Sequence, residues 1–169
     1  MDKIKRIFLG CMFAGFMLTL HANEYIAVNK EGKIYDQANA KYATENQDGD
    51  EIAVIPGMVF SASDHTPGWY KIEYSSGLHA FIPDQIIASS FNKVGAGNYK
   101  VANNPAETIS VKNNGNDWVC IIGDTSYKGT QYGEILIFFD EANKLRYSIA
   151  DIGNGPVAIN YDNAVTKFF

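Results

Sequence analysis

Few side chains in this 169-residue chain are spaced for chemistry. Its histidines are His21, His65 and His79, and none falls in a short motif with cysteine or acidic residues that would ligate zinc. Cys120 would need a neighbouring base to act as a thiolate nucleophile. It alternates instead with Trp118 and Ile122 on one side of a strand-like run, the setting of a small core residue. The acids at Asp124 and Asp140-Glu141 invite glycosidase chemistry, which holds two carboxyl groups about 5 to 10 Å apart across a groove. Asp140-Glu141 reads as a solvated turn. Asp48-Gly49-Asp50 lacks the remaining ligands of a calcium loop. Gly95-Ala96-Gly97 lacks the Lys and Ser/Thr that complete a phosphate loop. The expectation is no catalytic residues, no metal and no cofactor.

Aromatic side chains are the remaining clue. Alternation along residues 69–74 sets Tyr70, Ile72 and Tyr74 on one face and Trp69, Lys71 and Glu73 on the other. The first face is the natural core. Trp69 then stands beside two charges, and with Tyr35, Tyr42, Phe81 and His65 it makes the candidate ligand-binding set, a polar-rimmed aromatic cleft suited to peptide or glycan. Tyr127 and Tyr132 fall in a polar, glycine-containing stretch that reads as a long loop.

These residues must be positioned by strands. Residues 52–55, 58–62 and 69–74 are short apolar or alternating runs, broken at Pro56-Gly57, Thr66-Pro67-Gly68 and Ser75-Ser76-Gly77. Residues 37–50 have no apolar period and read as a surface loop. Past a Ser-, Gly- and Asn-containing stretch at 89–98, of which 91–98 is expected as the linker, the runs at 99–102, 108–112, 117–122, 134–139, 144–149 and 157–161 alternate with turns such as Asn114-Gly115 and Gly153-Asn154-Gly155-Pro156. That spacing predicts an antiparallel meander of five or six strands, with the tail at 162–169 able to add a short closing one. Residues 135–139 are apolar on both faces, as expected of a strand covered on both sides.

The first 22 residues stand apart. A basic start at Lys3, Lys5 and Arg6 precedes an apolar run over 7–20 and a small residue, Ala22. The run is shorter than the roughly 20 residues of a membrane span. It reads as a secretory signal peptide, so the protein is expected to be exported, to the periplasm or beyond the cell of a bacterium. Net charge is −5 and becomes more negative once that basic segment is removed. This disfavours nucleic acid and offers no polybasic patch to a membrane. With Cys11 in the leader, Cys120 has no partner for an internal disulfide.

The order Val54 to Phe60, Gly68-Trp69-Tyr70-Lys71-Ile72, Gly77 and Phe81-Ile82, followed by Ile86-Ile87, resembles the bacterial SH3-like (SH3b) domain family. The resemblance implies an SH3-like barrel at 23–90; with the strand runs beyond it read as a small antiparallel β-meander or barrel-like domain at 99–169, an all-β protein is expected. Functionally it implies a noncatalytic envelope module whose candidate partners are a peptidoglycan fragment or an envelope protein. Two alternatives stay open: a structural interaction module with the Trp69 face buried against the second half, and an envelope hydrolase without a recognised motif.

Overall fold

Local turn chemistry and alternation produce strands almost wherever the sequence permits them. The computed structural model describes residues 24–46, 48–75 and 77–162. The expected signal peptide and tail residues 163–169 lie outside them. Strands fall into two regions, an open antiparallel sheet in the N-terminal half and a closed barrel in the C-terminal half.

The N-terminal half contains β1 (Glu24–Ala27), β2 (Gly32–Lys33), β3 (Ala53–Val54), β4 (Val59–Thr66), β5 (Trp69–Ser75) and β6 (Leu78–Pro83), then a 3-10 turn over Asp84–Ile86. The main sheet has the order β1-β4-β5-β6, and β2 and β3 form a separate two-stranded ribbon. Thr66 pairs with Trp69 across Pro67-Gly68, where Gly68 takes φ 87°, a conformation that strains any residue with a Cβ. Alternation on β5 is as expected. Ile72 is fully buried, with Tyr70 and Tyr74 packed on the same apolar cluster.

This half is not an SH3-like barrel, and the closed barrel lies in the other half of the chain. The reason lies at the sheet edges. The stretch before the 37–50 loop yields only the two-residue strand β2, which pairs with β3 and not with the main sheet. Beyond β6 the sheet meets Tyr35 through a single bridge at Phe81, and beyond β1 it meets Ile87 through a single bridge at Val28. Isolated bridges stand where a closed barrel needs ladders.

The C-terminal half comprises β7 (Gly97–Val101), β8 (Asn104–Asn114), β9 (Asp117–Ile122), β10 (Thr125–Tyr132), β11 (Ile135–Phe139), β12 (Leu145–Asp151) and β13 (Pro156–Asn160). Consecutive strands pair antiparallel, and β13 returns to β7 in parallel through the register Ala158↔Val101. The parallel contact follows from parity, since in an up-and-down series of seven strands the first and last run the same way. Ala102 N–H donates to Ala158 O at 2.8 Å. The Asn103 carboxamide extends the seam as a strand residue would, with Nδ2 donating to Asn160 O at 2.6 Å and Oδ1 accepting from Asn160 N–H at 2.9 Å.

The barrel holds seven strands against the five or six expected because β10 occupies the stretch read as a loop. Its inward positions carry Tyr127 and Gly129, so no apolar alternation announces it. Gly129 has a packing role: a Cβ there would lie 2.4 Å from the Phe138 ring, which fills that space. Inside are Ile109, Val111, Trp118, Cys120, Leu136, Phe138, Ile149 and Ala158. The stretch expected as a linker is docked, with Phe91 packed on the cluster between the halves, Asn92 bridged to Asp151 and Val94 buried in the barrel core.

β11 is covered on both sides, as its sequence predicts. Leu136 and Phe138 point into the barrel, while Ile135 and Ile137 pack outside it against Ala27 and Val59. Ile159 and Tyr161 reach into the core of the N-terminal half. The β4–β5 ladder begins at Ser61, leaving the Val59 N–H and C=O without a strand on that side. The Tyr161 hydroxyl supplies both partners, accepting from Val59 N–H at 2.7 Å and donating to Val59 O at 3.0 Å, with Ser148 Oγ at 2.9 Å. Burial pushes this hydroxyl up to about 12.

Two outcomes follow. Asn103→Ala orphans the Asn160 N–H and C=O and lowers unfolding free energy by about 1–3 kcal/mol, read as a lower urea midpoint; an unchanged midpoint would show that the seam holds without it. Tyr161 has a folded-state pKa above that of an unfolded tyrosine, about 10, so its contribution is complete below pH about 10 and is lost as pH rises through the folded value, about 12. Urea midpoints measured from pH 9 to 12 fall less steeply in Tyr161→Phe, which starts from a lower midpoint at neutral pH.

Candidate functional site

Tyr35, Trp69 and Phe81 come together on the face of the N-terminal sheet opposite its core. β5 and β6 set Trp69 opposite Pro83 and Lys71 opposite Phe81, so Trp69 and Phe81 share the outer face. Tyr35 is brought to them by its reciprocal backbone hydrogen bonds with Phe81, at 2.9 and 2.7 Å. Its ring meets Trp69 edge-on, with centroids 5.2 Å apart and planes at 85°, a favoured aromatic geometry. All three are half-buried. Among the described residues, the apolar clusters that join the halves do not include Trp69.

One partner was not legible in the sequence. Asn39 takes a left-handed backbone, φ 63°, and its Oδ1 accepts the Trp69 indole N–H at 3.1 Å. Asparagine tolerates that conformation better than most residues, but nothing in an Ala- and Asn-rich loop marks which amide will reach a strand 30 positions away.

The other two candidates lie elsewhere. His65 pairs with Tyr70 across the ladder, which puts it on the opposite face from Trp69. Its ring stacks on Tyr70 at 4.4 Å, and its Nε2 lies 3.0 Å from Asp84 Oδ2. Tyr42 is 71 % exposed on the 36–45 loop, with Lys41 Nζ 5.2 Å from its ring centroid. Residues of that loop line an open depression of about 500 Å³, among them Asp36, Gln37, Lys41, Tyr42, Ala43 and Glu45.

Groups weighed for other chemistry are accounted for by their surroundings. Cys120 is enclosed in the barrel, where burial and then the Glu107 carboxylate push its thiol up to about 12. Asp140 caps its own turn, accepting from Lys144 N–H and Ala142 N–H at 2.9 Å, and the Lys144 bond contributes most to holding its carboxyl below the usual range. Tyr127 packs on Tyr147 in the barrel, centroids 5.5 Å apart, and Tyr132 packs on Tyr25 at 4.4 Å. No group of three or more His, Cys, Asp or Glu among the described residues is arranged to hold a metal.

Sequence reasoning also missed a polar network at one barrel end. Asn160 Nδ2 donates to Glu107 Oε1 at 3.1 Å and to the Tyr147 hydroxyl at 3.0 Å, while Asn104 Nδ2 donates to Glu107 Oε2 at 3.2 Å. Burial, then the hydrogen bond to Glu107, pushes the Tyr147 hydroxyl well above its ordinary value. Both carboxylate oxygens are occupied within the network, which ties β8, β12 and β13 together.

No family model matches the chain, and no similar protein was found among curated proteins or solved structures.

Asn39→Gly isolates the indole contact, because glycine takes the same φ without strain. Trp118 is buried, so acrylamide quenching reports chiefly on Trp69. We expect quenching to increase and stability to fall by about 0.5–1.5 kcal/mol; unchanged quenching would mean that Asn39 does not hold the ring.

Proposed function

We propose that this protein is an exported, noncatalytic binding module of the bacterial envelope, and that the face built on Tyr35, Trp69 and Phe81 receives its ligand, a cell-wall peptide or glycan or an envelope protein. The observation that carries this reading is the placement of Trp69. A large aromatic is held edge-on by Tyr35 and hydrogen-bonded by Asn39 on the sheet face away from the core. Such a preorganised, half-buried ring loses little freedom when a partner covers it, and aromatic anchors of this kind dominate many interfaces. The polar and charged groups beside it, Lys71 on the same face and Asp36 on the loop, supply a hydrogen-bonding rim.

The noncatalytic part of the reading draws on the same geometry. Cys120 is shut into the barrel with its thiol pushed up to about 12, and the His65 ring is engaged by Asp84 on the opposite face from Trp69. The basic and apolar start of the sequence supports export.

The test is sedimentation with insoluble cell wall, followed by titration with solubilised wall fragments and, in parallel, crosslinking in envelope extracts. Saturable binding that weakens at least about tenfold in Trp69→Ala, with Trp69→Phe intermediate and both variants melting as folded proteins, is the expected result for a wall ligand. Binding that Trp69→Ala leaves unchanged would remove this face from the reading. A crosslinked protein partner lost in the same variant, without wall binding, would select the envelope-protein form.

A further inference from the structure

The depression lined by residues of the 36–45 loop has a composition that narrows the ligand. We infer that it is a subsite for a neutral or cationic saccharide ring, seated on Tyr42 and hydrogen-bonded by Asp36, Gln37 and Glu45, with Lys41 as the one ammonium donor. This rests on the binding role proposed for the adjoining Trp69 face. Two carboxylates and a carboxamide supply many acceptor lone pairs. Ligand hydroxyl and ammonium groups are the donors that match them, and hydrogen bonds to ionised acceptors are the strong ones. Two carboxylates against one ammonium repel an anionic ligand.

Backbone pairing argues against an extended peptide at this place. Thr44 N–H already donates to Ile34 O at 2.9 Å, and Thr44 O already accepts from Ile52 N–H at 2.8 Å. At Thr44 the loop backbone is therefore committed on both sides and cannot pair with an added strand. The depression is open and lined by polar and apolar surface in near-equal measure, and it is not the deep apolar pocket that a peptide side chain would fill. Tyr42 contributes a broad aromatic surface that is 71 % exposed, and Lys41 Nζ, 5.2 Å from the centroid, attends one side of it. The C–H face of a sugar ring can cover such a surface.

The loop is also held before any ligand arrives. Asn39 fastens it to Trp69, Ala40 N–H donates to Gln37 O, and Thr44 is bonded to Ile34 and Ile52. A loop held in this way lowers the ordering cost of binding. Asn39 belongs to the same loop, so the segment that carries the depression is tied to the aromatic face through one side chain.

The experiment titrates the full chain with three soluble probes: an N-acetylglucosamine oligomer, a glucosamine oligomer and a glucuronate-containing oligomer of equal length. Saturable binding of the first two and at least about fivefold weaker binding of the third is expected. Tyr42→Ala, at an exposed position, should melt like the parent and weaken both by at least about fivefold. Asp36→Asn with Glu45→Gln should weaken the glucosamine oligomer more than the neutral one. Preferred binding of the acidic probe would overturn the proposal. So would wall-fragment binding that depends on Trp69 but not on Tyr42, which would leave the broader binding role standing. Failure of every oligosaccharide and wall fragment to bind would remove this proposal and the wall-ligand form of the binding role, leaving only its envelope-protein form.

Discussion

Seven strands joined one after another by reversals cannot close into a barrel without one parallel contact. That constraint shapes the C-terminal half. The seam between β13 and β7 has a single registered pair, Ala158 with Val101, where each antiparallel neighbour in the barrel has a longer ladder. The chain compensates with side chains. Asn103 presents its carboxamide to the Asn160 backbone as though it were another residue of β7, and the Asn160 side chain reaches Glu107 and Tyr147 across the same end. Buried polar groups are tolerable there because they satisfy one another.

Once closed, the barrel acts as a wall for the rest of the molecule. Its outer surface at Ile135, Ile137 and Ala150 covers the Ala27 and Val59 side of the N-terminal sheet, while Ile159 and Tyr161 enter the core on the other side. The open sheet therefore has cover on both faces near β1 and β4, and it has no need of barrel closure to bury its apolar residues. Gly57 records how near the halves come: it has φ 90°, and a Cβ there would lie 2.4 Å from Val157 Cγ1. Tyr161 binds the two halves chemically as well, by completing the hydrogen bonding of Val59.

This arrangement leaves the outer face of β5 and β6 outside the apolar clusters that join the halves. The side of the sheet that meets the barrel is taken up by packing, and Trp69 lies beyond it under its own small roof of Tyr35 and Asn39. Rigid strands carry Trp69 and Phe81 and a connecting loop carries Asn39, the division of labour that the proposed binding role would use.

The sequence by itself determined the β character of the chain, the faces of β5, the two-sided burial of β11 and the alternation that puts Cys120 with Trp118. All of these depend on the two-residue period of a strand and on local turn residues, which neighbours in the chain specify. Tyr35, Trp69 and Phe81 could be named as a group for the same reason, since each lies on or beside a legible strand. What only the tertiary structure decided depends on contacts between distant residues. The turn motifs and Gly-Trp-Tyr-Lys-Ile stretch resembling an SH3-like domain describe local hairpins, but closure is a property of edges, and those edges met single bridges in one half and a full circuit in the other. β10 was hidden because Gly129 yields its side-chain space to Phe138, a partner on another strand. His65 and Tyr42 parted from Trp69 by register and loop path, and Asn39 joined it, because side-chain proximity across a sheet is set by pairing that no short stretch of sequence contains.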